Sequence, residues 1–157
     1  MGIEIERKFL IDFSLIGEMG TGIEIQQGYI PTTHNTVVRS RVSGHVAYLT
    51  LKGKMIGLTR SEFEYEIPVS DAQSIISELC GGLTVDKTRY MIPHCGHVWE
   101  IDVFHGDNNG LIVAEVEMNS EGEIIELPEW VVEEVTEQRK YSNSNLLDYP
   151  FKLWEKT

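Results

Sequence analysis

The stretch Ile3-Glu4-Ile5-Glu6-Arg7-Lys8-Phe9-Leu10-Ile11 alternates charge with apolar bulk at a period of two. Successive side chains of a strand point to opposite faces. Glu4, Glu6 and Lys8 therefore share one face and Ile3, Ile5, Phe9 and Ile11 the other, with Arg7 the exception. Glu and Lys are weak strand formers. For one such strand a solvated sheet face is a sufficient explanation. The other reading is a wall of an ion-binding cavity, and recurrence along the chain decides between them.

The pattern recurs. Alternation predicts strands over 23–30, 36–43, 46–54, 61–68, 84–92, 97–105 and 111–118, and seven of the eight carry a charged face. Those faces hold Arg39 and Arg41, Lys52 and Lys54, Glu62, Glu64 and Glu66, Lys87 and Arg89, Glu100 and Asp102, and Glu115 and Glu117. With the first strand they sum to −2, so the rest of the chain carries −10 of the net −12. Like charges at i and i+2 repel, and more strongly away from water. Such rows persist if something compensates them: divalent cations between carboxylates and a polyanion between cations. Hard cations favour carboxylate and phosphate oxygens together.

Short turns join most of these strands, which predicts a mainly β fold: an eight-stranded antiparallel meander closed into a barrel, with a few flanking helices. The lumen is expected to be charged and the exterior apolar. An apolar exterior also invites a second subunit, so a homodimer is an expectation. One helix is expected over 12–19, with Asp12 or Ser14 as N-cap. A second follows the capping box Ser70-Asp71-Ala72-Gln73 and stops at Gly81-Gly82. Residues 119–140 are acidic and carry no clear period; Tyr141 to Leu147 open or form a last helix limited by Pro150.

The 157 residues suit one domain, 1–157, and 41% hydrophobic content suits a packed core. No apolar run is long enough to span a membrane, and the N-terminus has no apolar signal core. The start is Met-Gly, but Glu6 stands where a myristoylation signal needs Ser or Thr. Two cysteines, Cys80 and Cys95, suit a reduced cytoplasmic protein. The net charge argues against a nucleic acid polymer as partner, but not against a small anion at a local cationic site. His94, Cys95 and His97 sit at one turn and cannot easily close a four-coordinate metal site. Asp107-Asn108-Asn109-Gly110 lacks the remaining ligands of a calcium loop, and no phosphate-cradling Gly-rich loop is present.

Glu4-x-Glu6-x-Lys8, Arg39-x-Arg41, Lys52, Glu62-x-Glu64, Lys87-x-Arg89-Tyr90, Asp102, Glu115-x-Glu117, Glu134-Val135-Thr136 and Tyr141-Ser142-Asn143 follow one another in order. This ordered set resembles the CYTH family, the triphosphate tunnel metalloenzymes, over nearly the whole chain. The resemblance implies an eight-stranded tunnel, a triphosphate-bearing substrate and Mg²⁺ or Mn²⁺. It implies Glu4, Glu6, Glu115, Glu117 and Asp102 as metal ligands, and Lys8, Arg39, Arg41, Lys52, Lys54, Lys87 and Arg89 as phosphate-binding groups. Glu62 and Glu64 would add a second metal or orient the attacking water, and Lys87, paired with Tyr29, would be the base. The chain is similar in length and first motif to the small bacterial inorganic triphosphatases, so hydrolysis of tripolyphosphate to pyrophosphate and phosphate is the expected reaction. The alternatives are a class IV adenylate cyclase, a thiamine or nucleoside triphosphatase, and a non-catalytic polyphosphate-binding module.

Overall fold

The computed structural model describes residues 2–155; the ends of the expected 1–157 domain, Met1 with its Met-Gly start and 156–157, lie outside them. The strands are β1 (Ile3–Ile11), β2 (Ile23–Ile30), β3 (Val37–Ser43), β4 (Val46–Lys52), β5 (Thr59–Ile67), β6 (Thr84–His94), β7 (His97–Phe104), β8 (Ile112–Glu117) and β9 (Val131–Glu134); the α-helices are α1 (Val69–Leu79) and α2 (Asn145–Asp148).

Eight strands close an antiparallel ring in the order β1, β5, β4, β3, β2, β6, β7, β8 and back to β1. The expected continuous meander is corrected here. β2 to β5 form one meander and β6 to β8 another, and β6 pairs with β2 rather than β5. The reason is α1. It packs across the outside of β2, β3 and β4 and carries the chain from the β5 edge to the β2 edge. Ala72, Ile76 and Cys80 are its buried stripe. Gly28 makes room for it, since a Cβ there would lie 2.7 Å from Cys80 Sγ.

β1 closes the ring with its two edges. One edge pairs with β8 over Glu6–Phe9; the other pairs with β5 over Ile3–Ile5 and with β9 over Phe9–Ile11. β9 is the strand that the sequence did not reveal. It covers the length of β1 that β5 leaves unpaired, which spares the fold an open edge. The Arg7 guanidinium fastens it, with Nε 2.9 Å and Nη2 2.6 Å from the two oxygens of Glu134.

Several local expectations change. Residues 12–19 form only one 3₁₀ turn, Phe13–Leu15, capped by Asp12, whose carboxylate accepts from Ser14 N. The capping box is not formed. Pro68 is the N-cap of α1, and Ser70 lies inside the first turn, because proline's fixed φ and missing N–H suit a helix start. β6 runs past Pro93 to His94, and the hairpin turn is Cys95-Gly96, with φ of 48° and 85°. Two successive positive φ values match the twist of the flanking strands.

Apolar residues pack outside one half of the ring and inside one end of it. Outside, Trp99 lies fully buried between Phe9 (ring centroids 5.2 Å apart) and Trp130 (5.4 Å, edge-on), under the 118–131 segment. Trp99→Ala should lower stability by about 3–5 kcal/mol in urea unfolding. Trp99→Phe should cost much less, because the indole Nε1 is buried without a hydrogen-bond partner. Inside, Tyr29, Val85, Phe104 and Val113 meet Tyr141, Leu146 and Trp154 of the C-terminal segment. The same alternating faces carry Lys87 and Glu115 farther along. The lumen is therefore charged above an apolar floor, not charged throughout. Among the described residues no helix is long and apolar enough to cross a membrane.

Candidate active site

The charged part of the lumen is a cavity of about 180 Å³. β1 presents Glu4, Glu6 and Lys8 to it; β2 presents Tyr29; β3 presents Arg39 and Arg41; β4 presents Lys52. β5 adds Glu62 and Glu64, β6 adds Lys87 and Arg89, and β8 adds Glu115 and Glu117. Closure of the ring brings together the pairs from β1, β5 and β8 that lie far apart in the chain.

Two expected residues do not line it. Lys54 lies beyond the end of β4 and is exposed. The alternation that placed Lys54 beside Lys52 does not reach it: β4 ends at Lys52, and just past it the Gly53 N–H bonds across to Ser61 O. Asp102 is fully buried behind the wall. Its Oδ1 accepts from Arg89 Nε (2.7 Å) and its Oδ2 from Arg89 Nη2 (2.9 Å), and Lys87 Nζ is 2.7 Å from Oδ2. Both oxygens of Asp102, expected as a metal ligand, are engaged here as counter-ion to two cations.

Acids occupy one side. Lys52 Nζ bridges Glu4 (2.8 Å) and Glu62 (3.3 Å), and Arg60 Nε is 3.2 Å from Glu4. Burial raises the Glu4 pKa, but Lys52, the Glu62 hydrogen bond and Arg60 outweigh it and hold Glu4 well below the usual carboxylate range. Glu62 moves the other way, up to about 7, through burial and then Glu4. Glu6 and Glu115 repeat the arrangement. Burial, then Glu115 and Glu4, push Glu6 well up. Burial also opposes the charge on Glu115, but Lys8, Arg89, Lys87 and the Glu6 hydrogen bond hold it ionised. In each couple one carboxyl is held low and the other pushed up, the direction expected of crowded carboxylates.

Cations occupy the other side. Arg41 donates from Nε to Gln27 Oε1 (2.8 Å) and has no salt bridge among the described residues. Burial, then Arg39 and Arg89, bring it down to about 10. Arg39 Nη2 lies 3.5 Å from Glu64, and its Nε is buried with no partner. Burial lowers the Lys87 pKa; Asp102 opposes this, and Arg89 and Arg41 add to it, giving about 7. The Arg39 Nε and an Arg41 with no salt bridge among the described residues present donors for an anion.

The donor set suits a hard divalent cation in one specific way. Among the described residues no three acidic, His or Cys side chains converge into a complete metal site. Mg²⁺ does not need one: it binds through one or two carboxylates, keeps waters and takes the rest from substrate phosphates. The Glu6–Glu115 and Glu4–Glu62 couples each offer two carboxylates for such an ion. Glu117, exposed at the rim, stands opposite Glu6 in the β1–β8 register.

Some lining residues were missed from the sequence. Arg60 shares the alternation of Glu62 and Glu64, but β5 begins at Thr59, two residues before its predicted start. Gln27, which does not line the cavity but holds Arg41 from behind, is two residues before Tyr29 and fully buried; the period of two could have found it. Ser142, Asn143 and Ser144 reach the cavity from the C-terminal segment; the ordered motifs included Ser142 and Asn143 but gave them no role in the site.

Residues 2–147 match the model of the CYTH domain. This chain belongs to the CYTH family. It is 41% identical to the inorganic triphosphatase of Acetivibrio thermocellus, over 97% of both chains. It is 37% identical to that of Nitrosomonas europaea, over 91% of this chain and 95% of the relative. The crystal structure of an inorganic triphosphatase superposes with a TM-score of 0.65 at 35% identity, covering 92% of this chain and 93% of that one. The closed ring is thus the CYTH tunnel fold, here with β9 added.

Proposed function

We propose that this CYTH chain is a metal-dependent hydrolase of inorganic tripolyphosphate, giving pyrophosphate and phosphate. One observation carries the reading: Arg41, with no salt bridge among the described residues, and Arg39, with a buried Nε that has no partner, line the same cavity of about 180 Å³ as the carboxylates of Glu4, Glu62, Glu6 and Glu115. That volume is below the roughly 300–1,000 Å³ of pockets for drug-sized ligands, and among the described residues Tyr29 and Val37 are the only uncharged side chains that the strands and the loops before β9 put in its wall. Both features favour a small inorganic anion over a nucleotide.

Lys8, Arg39, Arg41, Lys52 and Arg89 hold the phosphate oxygens, with the arginine forks suited to two oxygens at once. Glu6, Glu115 and Glu117, with Glu4, hold Mg²⁺ or Mn²⁺. When bound, such an ion neutralises charge on the phosphate oxygens as the anhydride bond breaks. Glu64, held by Thr50 Oγ1 (2.8 Å) and Arg39, and Glu62 orient the attacking water. Lys87 takes its proton; an amine with a pKa of about 7 exists in useful amounts as free base. Tyr29 sits beside it, linked through Gln27 and Asn143. The free thiols of Cys80 and Cys95 agree with a reducing, cytoplasmic setting.

The test is incubation with Mg²⁺ and, in turn, tripolyphosphate, ATP and thiamine triphosphate, with assays for phosphate, pyrophosphate and cyclic AMP. Tripolyphosphate should turn over fastest. Chelation by EDTA should bring the rate to background, and added Mg²⁺ or Mn²⁺ should restore it. Cyclic AMP from ATP with tripolyphosphate untouched would replace this reading by a cyclase, and binding without turnover would replace it by a polyphosphate-binding module.

A further inference from the structure

Two side-chain amides run in series behind the cationic wall. Gln27 Oε1 accepts from Arg41 Nε at 2.8 Å. A guanidinium only donates, so the amide orientation is fixed and Nε2 faces the other way. Its two N–H groups go to Tyr29 Oη (2.6 Å) and Asn143 Oδ1 (3.1 Å). Asn143 Oδ1 also accepts from Lys87 Nζ at 2.9 Å. Donors on both sides fix this second amide too.

Lys87 Nζ therefore meets two oriented acceptors, Asn143 Oδ1 (2.9 Å) and Asp102 Oδ2 (2.7 Å). An amine nitrogen has three tetrahedral positions beyond its carbon. Two are taken by these oxygens; the third meets no hydrogen-bond acceptor among the described residues, on an amine fully buried at the cavity wall with the centre of the Phe104 ring 5.5 Å away. In the ammonium that position carries a proton; in the neutral amine, with two N–H groups, it carries the lone pair. With Asp102 as the only acceptor the amine could turn about its last bond, and the lone pair would have no fixed direction.

We infer that Asn143, oriented by Gln27, is a positioning residue that fixes the rotation of the Lys87 amine so that its one free position faces the reacting water. The inference rests on the reading of Lys87 as the base. It gives the C-terminal segment a part in the reaction: Asn143 lies 56 residues from Lys87 in the chain, and 116 from Gln27.

A double-mutant cycle on tripolyphosphate hydrolysis with Mg²⁺ tests it. Asn143→Leu should lower kcat by about 10²-fold, the order of loss for a misplaced catalytic group, with KM changed by less than about 3-fold. In a Lys87→Ala background the same substitution should cost nothing further, because it acts only through the amine. Equal losses in both backgrounds, or a loss confined to KM, would overturn the inference and leave the base reading standing. Lys87→Ala with undiminished kcat would overturn both. If Asn143→Leu does not fold, by circular dichroism, Gln27→Met enters the same cycle. It frees Asn143 to turn and should lower kcat by about 10-fold in the wild-type background only.

Discussion

Lys87→Ala is expected to lower kcat by about 10²–10⁴-fold, the range that a positioned acid or base contributes. KM should change far less, because Arg39, Arg41 and Arg89 still hold the phosphates. The pH profile distinguishes a lost base from a lost charge. Burial is the main cause of the low Lys87 pKa; Asp102 opposes it, and Arg89 and Arg41 reinforce it. With the amine near 7, kcat/KM of the wild type should rise through about pH 7 and then level, since kcat/KM reports groups of the free enzyme. Lys87→Ala should remove the share of the limb that Lys87 supplies, leaving the share of Glu62, which is pushed up to about 7 as well. A variant that keeps its kcat, or a wild-type profile flat around neutrality, would exclude Lys87 as the base. Stability carries the same signature. The unfolded chain keeps this proton to about pH 10.4, the folded chain only to about 7. Between those values the unfolded state binds more protons, so stability of the ligand-free protein should rise with pH there. Lys87→Met should remove that rise in denaturation curves.

Asp102→Ala should cost about 3–5 kcal/mol in urea unfolding, because it strands two buried cations without their counter-ion. Asp102 and Lys87 side chains are both fully buried, and Arg89 nearly so. Affinity for Mn²⁺, followed by calorimetry, should change little. A large loss of metal affinity with stability intact would return Asp102 to the list of metal ligands. Burial alone would raise the Asp102 pKa, but Lys87, Arg89 and the Arg89 hydrogen bonds lower it below the model-compound value. The stabilisation is therefore fully present above about pH 3.9 and is lost as pH falls through the lower folded value. The gap between wild type and Asp102→Asn should narrow in acid.

The period of two, read from Glu4-x-Glu6-x-Lys8 to Glu115-x-Glu117, determined which residues would face one another, because in a strand that period is a property of the backbone. It placed the eight ring strands and most of the cavity wall. Where a strand stops was not encoded as firmly. Lys54 continued the pattern on paper, but β4 ends at Lys52, and just past it the Gly53 N–H still bonds across to Ser61. Asp102 also kept the period, yet depth along the strand, not face, puts it behind Lys87 and Arg89.

Only the tertiary structure decided what depends on contacts between segments distant in the chain. The ring closes because β1 offers one edge to β8 and the other to both β5 and β9, and no short window contains those partners. Alternation cannot tell a charged lumen from a charged exterior; closure does, by removing the water from one side. Asn143 shows the same limit, since its segment has no period and its place is set by packing of Tyr141, Leu146 and Trp154 against the apolar end of the lumen.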